Sequence, residues 1–295
     1  MLSNDTKVKI YQASIYLTSV YALVFYWDLK LFLTSLVIGW LFYLVAGSAT
    51  LHKYAAHRTY EPKNRFIKVI LIFLGTITAL GSTISWAAQH RIHHRHSDHP
   101  DDPHSPRGDW WVKLKSWFFY TKQPNINPMI IKDLTTDKDH KFFYKHYNKV
   151  FVGFYLFMAL FGIESLAYYY TIPAWYVLSG MAWATVIAHT PEWNYRFSWR
   201  TYNSQDYTVN SNIWNILIPG EGYHNTHHAV PGLWNNAINK GEFDISAWFI
   251  KLIGIPNKPV IREHPPIRKG YKLVKAELEN VKKVIEEIHT NAEHN

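Results

Sequence analysis

The chain has 295 residues, is 48% hydrophobic and 17% aromatic, and carries a formal net charge of +9 with no cysteine. Without cysteine it builds no disulfide framework, thiolate metal site or iron–sulfur cluster of its own, so any transition metal must rest on nitrogen and oxygen ligands. Mean hydropathy is only -0.18 because apolar runs alternate with polar, histidine-rich connections; the positive charge suits anionic headgroups, a phosphate-bearing substrate or an acidic protein partner, and no nucleic-acid motif accompanies it.

Apolar runs cover residues 11–27 and 31–51, split by Asp28-Leu29-Lys30. Each approaches the ~20 residues a helix needs to cross a bilayer, so the pair predicts a transmembrane hairpin. The first run is too long and too weakly punctuated for a removable signal peptide. Residues 67–88 are long enough for another span, yet one crossing there puts the histidines before and after it ~30 Å apart on opposite faces. Gly75, Gly81, Thr76, Thr78, Ser82, Thr83 and Ser85 also weaken the run, and it reads as re-entrant or interfacial. The stretch 110–120 mixes aromatics with lysines and reads as interfacial.

A second hairpin is expected at 150–170 and 173–189, turning near Pro173. The fold class that follows is an all-α integral membrane protein: two transmembrane helical hairpins, about four spans, with a helical cytoplasmic cap that carries the histidines. Residues 1–256 make up the membrane-bound domain. Residues 257–295 form a charged tail, helical in part, with a solvated helix from Lys269 to about His289 that includes Glu277 and Lys283. Two hairpins leave both termini and all the histidines on one side. Lys7, Lys9, Lys53, Arg58, Lys63, Arg65, Arg91 and Arg95 share that side, and the positive-inside rule makes it cytoplasmic.

Histidines dominate the connections: His52-Lys-Tyr-Ala-Ala-His57, His90-Arg-Ile-His93-His94, the isolated His189, and His224-Asn-Thr-His227-His228. Neutral imidazole binds iron, copper, zinc and nickel. Positions i, i+3 and i+4 share one helix face, so each triplet offers three imidazoles to a small volume, or divides them between two adjacent metals. His52 and His57 lie about 140° apart on an ideal α-helix and converge only if the helix ends or bends between them, or if two metals lie between them. A single cluster of this kind reads equally as solvated surface or a structural zinc site; two triplets of identical spacing at the ends of apolar runs do not. His96, His99 and His104 fall in a polar loop with Asp101 and Asp102, and His140, His146, His264, His289 and His294 read as surface residues.

The three boxes, in this order and separated by membrane hairpins, resemble those of the membrane-bound fatty-acid desaturases, in particular the delta-9 acyl-CoA and acyl-lipid branch. Gln89-His-Arg-Ile-His-His-Arg-His-Ser-Asp98 and Gly220-Glu-Gly-Tyr-His-Asn-Thr-His-His228 look like that branch's second and third boxes. The resemblance covers roughly His52 to Pro231. It implies two iron ions held by His52, His57, His90, His93, His94, His189, His224, His227 and His228, with O2 as co-substrate and an external electron donor of ferredoxin or cytochrome b5 type. The substrate implied is a saturated acyl chain on coenzyme A or a lipid, receiving a cis double bond. One departure concerns Thr185, which stands where the family often has an Asn that holds a water on one iron. Asp98 and Glu221 are candidate acceptors for ligand N–H groups, and Trp86, Trp183, Trp214 and Tyr223 are candidates to line an acyl slot. Related histidine boxes also serve lipid hydroxylases and other oxygenases. A non-redox metal-binding or transport protein is the remaining alternative, although transport sites favour the bilayer midplane.

Overall fold

The computed structural model describes residues 4–103, 105–106, 127–191, 197–258 and, for the backbone, 266–272. The expected interfacial stretch 110–120 lies outside these residues, as do His104, His264, His289 and His294.

The chain is mostly helical, and among the described residues three helices are long and apolar enough to cross a membrane. Helix α1 runs Asn4–Phe25 and α2 runs Leu29–Ala56. Between them Asp28 caps α2, accepting from the Leu31 N–H at 2.8 Å. Leu17, Val24, Phe25, Leu33, Val37 and Leu41 point outward from these two helices. Such exposed apolar faces suit lipid contact far better than water.

The 67–88 segment is two helices rather than one. Helix α3 (Arg65–Thr76) is capped by Asn64 and α4 (Thr83–His96) by Ser82. Between them the backbone turns through Ala79, whose φ of 63 is left-handed. A break in apolar surroundings survives only if its freed carbonyls find donors. They do: Tyr170 Oη donates to Ile77 C=O at 2.8 Å and Gln12 Nε2 to Ala79 C=O at 3.1 Å. The bend packs both helices against the second half of α2.

Helices α5 (Lys132–Thr136), α6 (Lys138–Lys145) and α7 (Tyr147–Ala159) follow. At 13 residues, α7 reaches about 20 Å, short of a full crossing. The chain then reverses at Gly162, whose φ of 92 is open to glycine and costly for other residues, and α8 climbs without interruption over Ile163–Ala188. The turn expected at Pro173 is therefore absent. Pro173 lies inside α8, just past the point where a π-helical segment, Ala167–Thr171, gives way to α-helix. Of the four spans expected, the described residues supply three helices of spanning length and the short α7.

The remainder is compact and polar: α9 (Asn212–Leu217), α10 (His224–Ala229) and α11 (Ile245–Ile253). Strands β1 (Tyr60–Pro62) and β3 (Gly254–Pro256) pair antiparallel, as do β2 (Trp199–Tyr202) and β4 (Pro266–Lys272). The tail thus enters as a strand over Lys269–Lys272, not as the expected helix; Glu277, Lys283 and the rest of that helix lie outside the described residues.

Candidate metal centre

Four elements converge on one buried volume. The first is the end of α2, where Tyr43–Ala56 is wound as a π-helix and the His57 N–H donates to the His52 C=O at 3.2 Å. This i→i+5 bonding removes the divergence expected of an α-helix. It sets the two rings together, centroids 5.0 Å apart. Helix α4 brings His90, His93 and His94, α10 brings His224, His227 and His228, and His189 closes α8.

All nine histidines meet, in two groups. One contains His52, His57, His90, His94 and His227; the other contains His93, His189, His224 and His228, and within each the nearest ligand atoms lie within 4.8 Å of one another. The division is crosswise. Helix α4 gives its i, i+4 pair, His90 and His94, to the first group and His93 to the second. Helix α10 gives His224 and His228 to the second and His227 to the first. The groups abut, the His94 ring stacking on His228 at 4.2 Å.

Carboxylates orient the rings from behind. His52 Nδ1 lies 2.7 Å from Glu221, His93 Nδ1 2.9 Å from Asp102, His189 Nδ1 3.0 Å from Asp98 and His228 Nδ1 2.8 Å from Asp206. A carboxylate accepts, so each Nδ1 carries the proton and Nε2 presents its lone pair inward. Asp98 and Glu221 were legible as acceptors in the sequence. Asp102, read there as loop, and Asp206 were not. Asp98 adopts a left-handed φ of 64 to reach His189 while also accepting the Tyr207 N–H at 2.8 Å.

Close packing aims Glu221. A Cβ on Gly222 would lie 2.3 Å from the Asn215 backbone nitrogen, so only glycine lets this turn press against α9. Asn225, inside the third box, accepts the N–H groups of Thr201 and Tyr202, both at 2.8 Å. It thereby anchors the hairpin that carries Asp206.

The donor set fits metal ions. In the first group the Nε2 atoms form a chain: His52 to His227 at 2.7 Å, His227 to His94 at 3.0 Å, His94 to His90 at 3.0 Å and His90 to His57 at 2.9 Å. One ring nitrogen either donates once or accepts once in its plane. Five nitrogens in such a chain satisfy at most two of its contacts by hydrogen bonds, whereas one cation at their centre satisfies all five. In the second group, His224 and His228 oppose their Nε2 atoms at 3.1 Å. Burial, reinforced by neighbouring imidazoles, holds His90, His94, His224 and His227 well below the usual histidine range. Burial also lowers His228 to about 4, against the pull of Asp206. These rings are neutral at pH 7, the form that ligates metals. An all-imidazole set without thiolate suits iron, copper, zinc or nickel.

One cavity opens on the centre and a second adjoins it. The first is lined by His52, Trp86, His90, Thr185, Glu221 and His224; the second by residues including Trp183, Ile187, Val209 and Trp214, and both share Ala184 and Glu221. Trp86 stacks on His90 at 4.7 Å. Thr185 faces the first cavity, its hydroxyl donating to the Met181 carbonyl at 3.3 Å. Tyr223 lines neither cavity. Its hydroxyl donates to Asn212 and accepts from the Phe243 N–H, a structural role. His140 corrects another expectation. It is buried, not on the surface, with Nδ1 2.8 Å from the Thr83 hydroxyl and Nε2 3.3 Å from the Tyr54 hydroxyl.

Apolar helices of membrane-spanning length and a buried gathering of nine imidazoles fit a membrane protein with a histidine-held metal centre. Comparison with known proteins specifies the family. The fatty acid desaturase family model matches residues 26–237, and the chain belongs to that family of oxidoreductases. It is similar to the sn-1 stearoyl-lipid 9-desaturase of Anabaena variabilis, 26% identical over 75% of this chain and 79% of the relative. It is also similar to the sn-1 stearoyl-lipid 9-desaturase of Synechocystis sp., 26% identical over 86% and 81%. A hex-5-enoyl-[acyl-carrier protein] acetylenase of Moorena producens is 28% identical over 70% and 69%.

Proposed function

We propose that this fatty acid desaturase is a membrane-embedded, delta-9-type enzyme that inserts a cis double bond into the saturated acyl chain of a lipid. We assign its two iron ions to the five-histidine and four-histidine groups. The observation that carries the reading is the gathering of all nine histidines into two touching groups of inward-facing Nε2 atoms. The lipid carrier and the position of the bond follow the names of the cyanobacterial relatives; coenzyme A is the alternative carrier.

Bound iron supplies the activation of O2, with two electrons from a ferredoxin or cytochrome b5 type donor, two protons and two hydrogens of the acyl chain converting O2 to two waters. The chain's own residues do the rest. Asp98, Asp102, Asp206 and Glu221 hold four of the imidazoles in the ligating tautomer. Trp86, Trp183, Ala184, Ile187 and Trp214 wall a narrow apolar path toward the centre, which orients an alkyl chain and excludes water. Thr185 offers a hydroxyl, for a water, at the cavity edge.

We place the histidine centre on the cytoplasmic side of the membrane. Outward-facing Phe66 and Ile70 on α3 and Trp248 and Leu252 on α11, helices whose inner faces share the core around Leu71, Ile72 and Ile250, are assigned to the lipid surface beside it.

The test is lipid analysis of cells expressing the wild type or His227→Ala. A new monounsaturated chain, with the bond at carbon 9, is expected with the wild type only. A hydroxylated lipid instead would move the chain to oxygenase chemistry, and unchanged lipids from an iron-loaded enzyme supplied with reductant would refute the proposal.

A further inference from the structure

We infer that the two metal positions are unequal: the four-histidine group binds its ion more tightly and fills first. This rests on the reading of the site as a two-metal centre and extends it.

The argument is the distribution of buried negative charge. In the four-histidine group three rings are backed by carboxylates, His93 by Asp102, His189 by Asp98 and His228 by Asp206, each within 3.0 Å. The five-histidine group has one such contact among the described residues, His52 to Glu221 at 2.7 Å. Even that carboxylate is shared, its second oxygen lying 4.0 Å from His224 Nδ1 in the other group. Asp98, Asp102, Asp206 and Glu221 are all buried, where salt screens charges weakly.

A carboxylate behind an imidazole acts twice. It makes the ring a stronger donor, and it adds a full negative charge near a divalent cation. Removing one such partner typically lowers metal affinity ~10–100-fold. The larger group's extra imidazole contributes a neutral dipole, whereas the smaller group's two additional carboxylates contribute two whole charges. Two such partners correspond to a ratio of roughly 10²–10⁴ in affinity.

The experiment uses the full-length protein in detergent, stripped by a chelator and titrated anaerobically with Co(II), followed by visible absorption and competition with a chelator of known affinity. Two binding steps are expected, the first at least tenfold tighter. Asp98→Asn and Asp206→Asn should each weaken the first step by about 10–100-fold and leave the second nearly unchanged. His57→Ala should weaken the second step alone. Two equivalents bound in a single unresolved step would overturn the inference while leaving the two-metal centre standing. So would a His57→Ala protein that loses the tight step. A wild type that binds no Co(II) and carries no iron as isolated would refute the centre itself. Because His57→Ala and the wild-type titration decide the order independently, the test survives misfolding of either Asp variant.

Discussion

At the residue scale, the ligand candidates were legible and their pairing was not. The i, i+3, i+4 histidine triplets are local patterns, and the structure gathers all their members. Their partners were harder to see. Asp206 meets His228 across 22 residues and His140 meets Thr83 across 57, and no period in the sequence encodes such loop geometry. His140 ties the helix that carries the second box to Tyr54, inside the first. Burial, the largest influence, lowers it to about 4, so folding favours its neutral form. An unfolded histidine titrates near ~6.5, and the resulting stability is complete above that pH and is lost as pH falls through about 4. Thermal melts at pH 7 and pH 4.5 should show the wild type losing more Tm than His140→Gln. At pH 7 that variant should be less stable by about 1–3 kcal/mol, the cost of disturbing buried hydrogen bonds. An equal pH response in the two proteins would rule out the assigned role.

At the element scale, the decisive departure from expectation is helix type. The apolar run predicted α2, but spacing alone does not announce that its second half is π-helical; the i, i+5 separation of His52 and His57 becomes informative only once the winding is known. Likewise Pro173 and Gly162 were both visible, and the turn fell at the residue free to adopt positive φ. The π-helical end of α2 is fastened to α11 by a buried ion pair, Lys53 Nζ to Asp244 Oδ2 at 2.8 Å, and Asp244 also caps α11 through the Ala247 N–H. Removing one charge of a buried pair strands the other, at about 3–5 kcal/mol. Asp244→Asn should therefore lower the unfolding midpoint sharply, while the double variant Lys53→Met/Asp244→Asn, which keeps a capping oxygen, recovers most of the loss. A single variant as stable as wild type would show the pair to be inert.

At the scale of the whole molecule, the sequence yielded the membrane class and the convergence of the boxes because both rest on gross patterning. It read 67–88 as an interrupted, re-entrant or interfacial run, but not where the chain breaks, since the break depends on donors from Gln12 and Tyr170 in other helices. Sidedness is open to direct measurement because the chain has no cysteine. Single-cysteine variants Lys7→Cys and Lys30→Cys, treated in intact cells with a membrane-impermeant maleimide, should label at position 30 only; permeabilisation should expose position 7. Labelling of both positions from outside would contradict the hairpin formed by α1 and α2. The crosswise sharing of the boxes, finally, bears on how such a centre can change over generations. Helices α4 and α10 each serve both groups, so an insertion, deletion or slip in either box disturbs two sites in one event. On the proposed two-metal reading, a single-metal descendant does not arise by discarding the second or third box, since each gives ligands to both groups. It must lose its imidazoles one substitution at a time, through intermediates that still carry both helices in register.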